Sequence, residues 1–291
     1  MNKFYYPYHG NKQSEIKYIN LERLRNKFTH FIEPFAGSFA FMRNIYIEGD
    51  KCSKKYHIND VDEGLINMLQ DIAKYGDKKY IDYCNNHHDK EFFMQVKDRI
   101  RNNNGDLKDQ FYYKSLYTLR LGIYPFPDSK RKLAQKETNK NLNKFVKNAK
   151  ITNKNYLDIF NEYEKCTDCL LFLDPPYFDS SNREYSSYLI NNNIVENGYK
   201  LNIDNTVMYI DILKFLKNCK CGVILIINDI AIMREIFKSY IIFDYCKKYN
   251  NCKQHKELNC MIKNKAQHII VSNLKAKYFN NPNDTDNINT S

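Results

Sequence analysis

The sequence has no apolar run approaching the ~20 residues needed to cross a bilayer; its longest aliphatic stretch is Val223–Ile227. Met1–Pro7 shows none of the apolar character of a secretory leader, so a soluble, intracellular chain without membrane contact is expected. The 9 cysteines are an odd number without framework spacing, which predicts reduced thiols and not a disulfide scaffold. Cys166 and Cys169 form a C-x-x-C, but no second pair has finger-like spacing and no histidine is suitably placed. Buried thiols are expected there, and no metal site. G-x-G-x-x-G is absent, which argues against a nicotinamide-dependent Rossmann enzyme. No internal repeat is visible.

What is present is enough for a full core. Of 291 residues 43% are apolar, which excludes wholesale disorder and fits one large domain or one domain carrying an insertion. The excess of 45 Lys+Arg over 34 Asp+Glu gives a net charge of +11, which favours a polyanionic partner.

The most informative stretch is Leu170–Tyr177, Leu-Leu-Phe-Leu-Asp-Pro-Pro-Tyr. Four apolar residues predict a short buried strand, and two prolines stop it. Asp174, Tyr177 and the Pro175 carbonyl are then displayed at the strand's carboxyl end, where open α/β sheets place ligands. An acidic acceptor, a carbonyl and an aromatic face suit a planar group bearing an amine, such as a nucleobase. A plain strand ending in a proline turn with a solvated Asp is the alternative.

Upstream, a helix capped by Ser14 is expected to run to about Lys27. Phe28–Glu33 then reads as a strand, Pro34–Ser38 as a tight turn and Phe39–Ile47 as a helix, a strand–glycine turn–helix unit of the kind that approaches ligands through backbone N–H groups. Tyr56–Asn59 is the next strand, and Val61–Ala73 the next helix, with Val61, Leu65, Met68, Leu69 and Ile72 on one face. Asp60, at the end of that strand, either accepts hydrogen bonds from ribose hydroxyls or caps the following helix.

From about 76 to 149 strands disappear, and helices such as Lys90–Arg101 and Gln110–Leu121 alternate with Asn- and Lys-rich loops. Residues 77–149 hold 16 Lys+Arg against 9 Asp+Glu, most of the chain's excess. Lys130, Arg131, Lys132 and Lys136 follow Tyr112, Tyr113, Tyr117, Tyr124 and Phe126, the mixture that phosphate contacts and base stacking require; a solvated helical face is the alternative. The α/β rhythm resumes with a strand at Lys150–Asn153 and a helix at Tyr156–Tyr163. Phe178–Asn205 reads as a long polar loop and a plausible lid. A helix (Asn205–Leu216), a buried strand (Gly222–Ile227), a helix (Ile230–Phe237) and two closing strands (Tyr240–Tyr249, Gln267–Asn273) follow. Residues 280–291 read as a disordered tail.

In this order the motifs resemble the Dam-like (D12 class) family of DNA adenine-N6 methyltransferases. Tyr8-His9-Gly10-Asn11-Lys12 is similar to its opening Y-x-G-x-K, and Phe31–Ser38 to its F-x-E-P-F-x-G-x loop. Ile58-Asn59-Asp60 with Leu65-Ile66-Asn67 resembles its N-D-x-x-x-x-L-I-N element, and Asp174–Tyr177 its D-P-P-Y. Phe39 stands where the family usually has a second glycine, and Asn155-Tyr156 where it has Asp-Phe. Its Asn-Gly-x-x-Arg recognition segment is not readable here, and Leu119–Ile123 stands near that place.

The resemblance implies a Rossmann-like α/β methyltransferase fold with a seven-stranded, mostly parallel sheet, S-adenosylmethionine as cofactor, and adenine in double-stranded DNA as acceptor. It implies a catalytic domain of residues 1–75 and 150–279 and an inserted, mainly helical target-recognition domain of residues 76–149. Tyr8, Gly10, Asn11 and Lys12 are expected at the methionine end of the cofactor, and Pro34, Phe35, Ala36, Gly37 and Ser38 along its loop. Asp60 is expected at the ribose, and Asn155 and Tyr156 near the cofactor base. Asp174, Pro175, Pro176 and Tyr177 are expected to hold the flipped-out adenine, Asp174 also adjoining the cofactor. Arg120, Lys130, Arg131, Lys132 and Lys136 are expected on DNA, and the chain to be a monomer or weak dimer. The alternatives are a same-fold methyltransferase for RNA adenine or cytosine N4, and an inactive nucleic-acid- or partner-binding protein of that fold.

Overall fold

The computed structural model describes residues 4–5, 12–47, 54–87, 89–120, 137–177, 205–255 and 260–281; in 117–120, 205–206, 247–255 and 260–266 it describes only the backbone. A 7-stranded sheet organises the chain, with strands His30–Glu33 (β1), Lys55–Asn59 (β2), Lys150–Thr152 (β3), Cys169–Leu173 (β4), Gly222–Asn228 (β5), Ile241–His255 (β6) and Cys260–Ser272 (β7). Their spatial order is β3-β2-β1-β4-β5-β7-β6. The first five are parallel, and β7 runs antiparallel to both neighbours. The fold is the expected Rossmann-like methyltransferase arrangement.

Every residue of β4 and β5 is buried, as expected for central parallel strands covered on both faces. Side-chain alternation splits the core in two. On one face Phe31, Ile58, Leu170, Phe172, Ile224 and Ile226 meet the helices Leu21–Lys27 (α1), Ala40–Ile45 (α2) and Glu63–Tyr75 (α3). On the other, Ile32, Leu171, Leu173, Val223, Leu225 and Ile227 meet Tyr156–Tyr163 (α8), Asn205–Asn218 (α9) and Ala231–Phe237 (α10). Between β2 and β3 the described chain is helical: Lys78–Asn86 (α4), Lys90–Arg101 (α5), Leu107–Arg120 (α6) and Lys140–Asn148 (α7). These helices share the first core, because Phe145 of α7 packs on Tyr56 of β2 at 5.4 Å and on Phe39 at 5.9 Å. Lys114 of α6 also reaches Asp62, before α3, at 2.9 Å.

Four local expectations need correction. The helix expected from Ser14 starts instead at Leu21. Ile19 bridges Phe279, and the Asn20 N–H donates to the Tyr278 carbonyl at 2.9 Å, so long-range pairing interrupts the helix and the Asn20 side chain caps its remainder. Val61 lies off the buried face of α3, 66% exposed, because Asp62 accepts the Leu65 N–H at 2.9 Å and starts the helix after it. The closing strands are longer than expected, 15 and 13 residues. Among the described residues their outer halves pair only with each other, and the sequence there shows no apolar alternation to read. Finally, Cys166 and Cys169 are not reduced thiols but form a disulfide, since the turn between them brings their Cα atoms to 5.5 Å. Cys84, Cys219, Cys221 and Cys246 are not disulfide-bonded. Among the described residues no helix is long and apolar enough to cross a membrane. The expected lid, apart from Asn205 at the start of α9, and the tail from 282 onward lie outside the described residues.

Candidate active site

The strand order reverses between β1 and β4, so their following turns diverge and leave a crevice at the carboxyl edge. After β1 comes Pro34–Ser38, and after β4 comes Asp174–Tyr177. The first turn is held by side chains that end β2. The Asn59 amide donates to the Pro34 and Lys154 carbonyls, both at 3.0 Å, and the Asn59 carbonyl accepts the Ala36 N–H at 2.9 Å. Asp60 accepts the Gly37 N–H on one oxygen at 2.8 Å and the Asp62 N–H on the other at 3.0 Å. Asp60 therefore clamps the glycine turn, while Asp62 caps α3. Burial, with the charge of Asp62, pushes the Asp60 carboxyl up to about 6 against the pull of its two backbone donors and Lys114.

Gly37 has φ +47°, a conformation that needs no Cβ. Phe39 has φ 38° and ψ 50°, the left-handed region that a bulky side chain normally avoids. Its ring is fully buried, edge-on to Phe4 at 5.2 Å and tilted against Phe145 at 5.9 Å. A glycine at this position would take up the same backbone without strain, and here ring packing holds it instead.

In the second turn Lys12 lies 2.6 Å from Asp174 Oδ1, with Lys12 only 4% exposed. The same ammonium stands over the Tyr177 ring, 4.9 Å from its centre. The Pro176 carbonyl accepts the Tyr209 hydroxyl of α9 at 2.9 Å. Pro175 is buried, and its carbonyl accepts no hydrogen bond among the described residues. Asn155 caps α8 through the Leu157 N–H at 2.9 Å, and Tyr156 packs on Phe35 at 5.4 Å while its hydroxyl donates to Asp211 at 3.0 Å. Ser38 is buried, and its carbonyl accepts the Arg43 Nε–H at 2.9 Å.

The structure thus brings Lys12 to Asp174 and Tyr177, Asp60 to Gly37, and Phe35 to Tyr156. Tyr8, Gly10, Asn11, Lys130, Arg131, Lys132 and Lys136 lie outside the described residues, as does the side chain of Arg120 at the end of α6.

Sequence reasoning missed several side chains next to Asp174. Glu33, the last residue of β1, is fully buried, and Oε1 accepts the Met42 N–H at 2.6 Å. Burial drives its carboxyl well above the usual range against that donor and Arg43, and the charge of Asp174 adds to the rise. Its place as the acid of E-P-F, at the very end of a strand, was the available signal. Tyr177 also meets His268 of β7 at 5.4 Å, which lies parallel to Tyr245 of β6 at 5.6 Å. Burial raises the Tyr245 hydroxyl, and the charges of Glu15, Tyr177 and Asp174 raise it further. Nothing in the local sequence marks Tyr245 or His268; antiparallel pairing alone delivers them.

Chemically, the crevice offers a half-buried carboxylate paired with a buried ammonium, an aromatic face and an acid gripping a glycine turn. The sequence aligns at 26% identity over 251 residues with the Type II methyltransferase M.CviBI of Paramecium bursaria Chlorella virus NC1A, covering 82% of this chain and 88% of that one. Among solved structures it matches a SAM-dependent O-methyltransferase of Thermotoga maritima at 10% identity and TM-score 0.32, over 93% of this chain and 67% of the other. The D12 class N6 adenine-specific DNA methyltransferases match over residues 8–251, most of the chain and every strand of the sheet except the end of β6 and β7. Geometry and sequence agree, and the chain belongs to the D12 class N6 adenine-specific DNA methyltransferase family.

Proposed function

We propose that this chain transfers a methyl group from S-adenosylmethionine to N6 of an adenine flipped out of double-stranded DNA. The observation that carries the reading is the juxtaposition, at one switch point, of Asp174 paired with Lys12 beside Tyr177 and of the Gly37 turn clamped by Asp60. S-adenosylmethionine supplies an electrophilic methyl group on a sulfonium. Asp60 fits its ribose, because a carboxylate has about four acceptor sites and, among the described residues, two backbone donors reach this one. Pro34–Ser38 line the same turn, Asn155 and Tyr156 stand beside it, and Tyr8, Gly10, Asn11 and Lys12 serve the methionine end.

The adenine N6 lone pair is delocalised into the ring, so the amine is a poor nucleophile. Asp174 and the Pro175 carbonyl accept its two N–H bonds, shifting N6 towards tetrahedral geometry and aiming its lone pair. As positive charge develops on N6, the Asp174 carboxylate stabilises it in a site shielded from water. Lys12 pairs with Asp174 and holds it oriented until substrate arrives. Alignment of the two reactants provides much of the acceleration. A stacked base cannot reach this turn, so the adenine must leave the helix, and Tyr177 offers it a stacking surface. Residues 76–149 act as the target-recognition domain, with Arg120, Lys130, Arg131, Lys132 and Lys136 on phosphates.

Asp174→Ala should reduce transfer of labelled methyl groups to DNA by roughly 100–1000-fold or more, the scale of a lost transition-state charge partner, while calorimetry shows S-adenosylmethionine binding within a few-fold of wild type. Full activity in this variant would refute the mechanism. Mapping of modified bases after reaction with random-sequence DNA tests the acceptor, since label on cytosine or only on RNA overturns that part.

A further inference from the structure

At the opposite edge of the sheet, away from the cofactor turn, a second cluster of chemically active side chains meets. Parallel pairing of β1 with β4 sets His30 directly beside Cys169. The turn before β4 is anchored to β1, because the Thr29 and His30 N–H groups both donate to the Asp168 carbonyl, at 2.9 and 3.2 Å. The His30 Nδ1 atom then lies 3.1 Å from Asp168 Oδ2, and Cys166 Sγ lies 3.1 Å from Asp168 Oδ1. The Thr29 hydroxyl also donates to Asp168. The ligand atoms of His30, Asp168 and Cys169 all lie within 4.8 Å of one another.

We propose that His30, Asp168, Cys166 and Cys169 form a binding site for one thiophilic divalent cation, zinc, when the two cysteines are reduced. A tetrahedral zinc site has bonds of about 2.0–2.3 Å, so its donors stand roughly 3.3–3.8 Å apart. Three donors already within 4.8 Å need only small side-chain rotations to converge. The backbone that presents them is fixed by strand pairing and by the two bonds to the Asp168 carbonyl. Two thiolates, an imidazole and a carboxylate favour zinc over magnesium or calcium. The C-x-x-C supplies half the set and a histidine 136 residues earlier supplies the partner that no local spacing reveals.

The disulfide and the metal exclude each other. An added dithiol reductant gives two electrons and two protons to the S–S bond and is itself oxidised to a disulfide, leaving two protein thiols; cation binding then displaces both thiol protons to solvent as the thiolates ligate. Oxidation removes two of the four ligands. The bound cation ties the amino ends of β1 and β4, whose carboxyl ends carry the two turns of the crevice.

The test is cobalt(II) titration of the full chain, reduced and oxidised, read by absorbance, with zinc then competing the signal away. Reduced wild type should give the near-ultraviolet thiolate-to-cobalt band and tetrahedral visible bands at one equivalent per chain. The chain oxidised with diamide should give neither. Cys166→Ser with Cys169→Ser should weaken binding at least ~100-fold and abolish the thiolate band, and His30→Ala should weaken it about tenfold or more. Cys219→Ser should leave both unchanged. Absence of the thiolate band in reduced wild type, or its survival after oxidation or in the double variant, overturns the proposal. Because the reduced-versus-oxidised comparison needs no substitution, a variant that fails to fold does not blunt the test.

Discussion

Phe39 gives the sharpest test of how the Gly37 turn is built. Two opposed effects meet there, a left-handed backbone at φ 38° and a fully buried ring. Holding a residue with a Cβ in that region costs about 1–2 kcal/mol, whereas removing a buried Phe side chain costs about 3–5 kcal/mol. Phe39→Ala loses the ring and keeps the strain, so it should destabilise by about 3–5 kcal/mol. Phe39→Gly loses the same ring but sheds the strain, and pays about 0.5–1 kcal/mol for the freer unfolded chain. Glycine should therefore be more stable than alanine here by roughly 0.5–1 kcal/mol, the reverse of their order in most helices and strands. With a urea slope of about 3 kcal/mol/M, that is a midpoint difference of about 0.2–0.3 M. Urea melts of the three proteins, followed by far-ultraviolet circular dichroism, measure it. An alanine variant more stable than the glycine one by about 0.5–1 kcal/mol would show that position 39 is unstrained and that the buried ring has no compensating task.

Asp60 should make cofactor affinity depend on pH. Its carboxyl titrates near about 6, above the usual carboxylate value, so ionisation is disfavoured in the fold and folding stability falls as pH rises towards about 6. Only the ionised form accepts fully from ribose hydroxyls, so the dissociation constant for S-adenosylmethionine should rise towards tenfold per pH unit below about 6; an Asp60→Asn variant should bind weakly with a flat profile, and a flat wild-type profile would return Asp60 to a purely structural role. Neutralising Lys130, Arg131 and Lys132 should flatten the slope of log affinity for DNA against log salt by up to about 2.7, at about 0.9 per phosphate contact; an unchanged slope would place the DNA elsewhere. Tyr209→Phe removes the hydroxyl that donates to the Pro176 carbonyl and leaves the buried ring, so urea melts should show a loss of about 1 kcal/mol, with methylation slowed several-fold as the turn loosens; wild-type rates would show that the prolines alone fix the turn.

The sequence by itself determined the elements and the chemistry at their ends. Continuous apolar runs made Leu170–Leu173 and Gly222–Ile227 legible as strands, and Lys90–Arg101 and Tyr156–Tyr163 emerged as helices with those bounds, because periodicity and capping act over a few residues. The D-P-P-Y and E-P-F-A-G turns were equally local. Tertiary structure decided what depends on pairing between distant segments. It broke the first helix by bridging Ile19 to Phe279, and gave Asp60 to Gly37 and the cap to Asp62. It delivered Glu33, Tyr245 and His268 to the neighbourhood of Asp174, and carried His30 to Cys169, which no spacing along the chain could announce. The physical reason is the same in each case. Propensities and caps are short-range energies written in adjacent residues, whereas register and burial arise only when strands far apart in sequence choose each other.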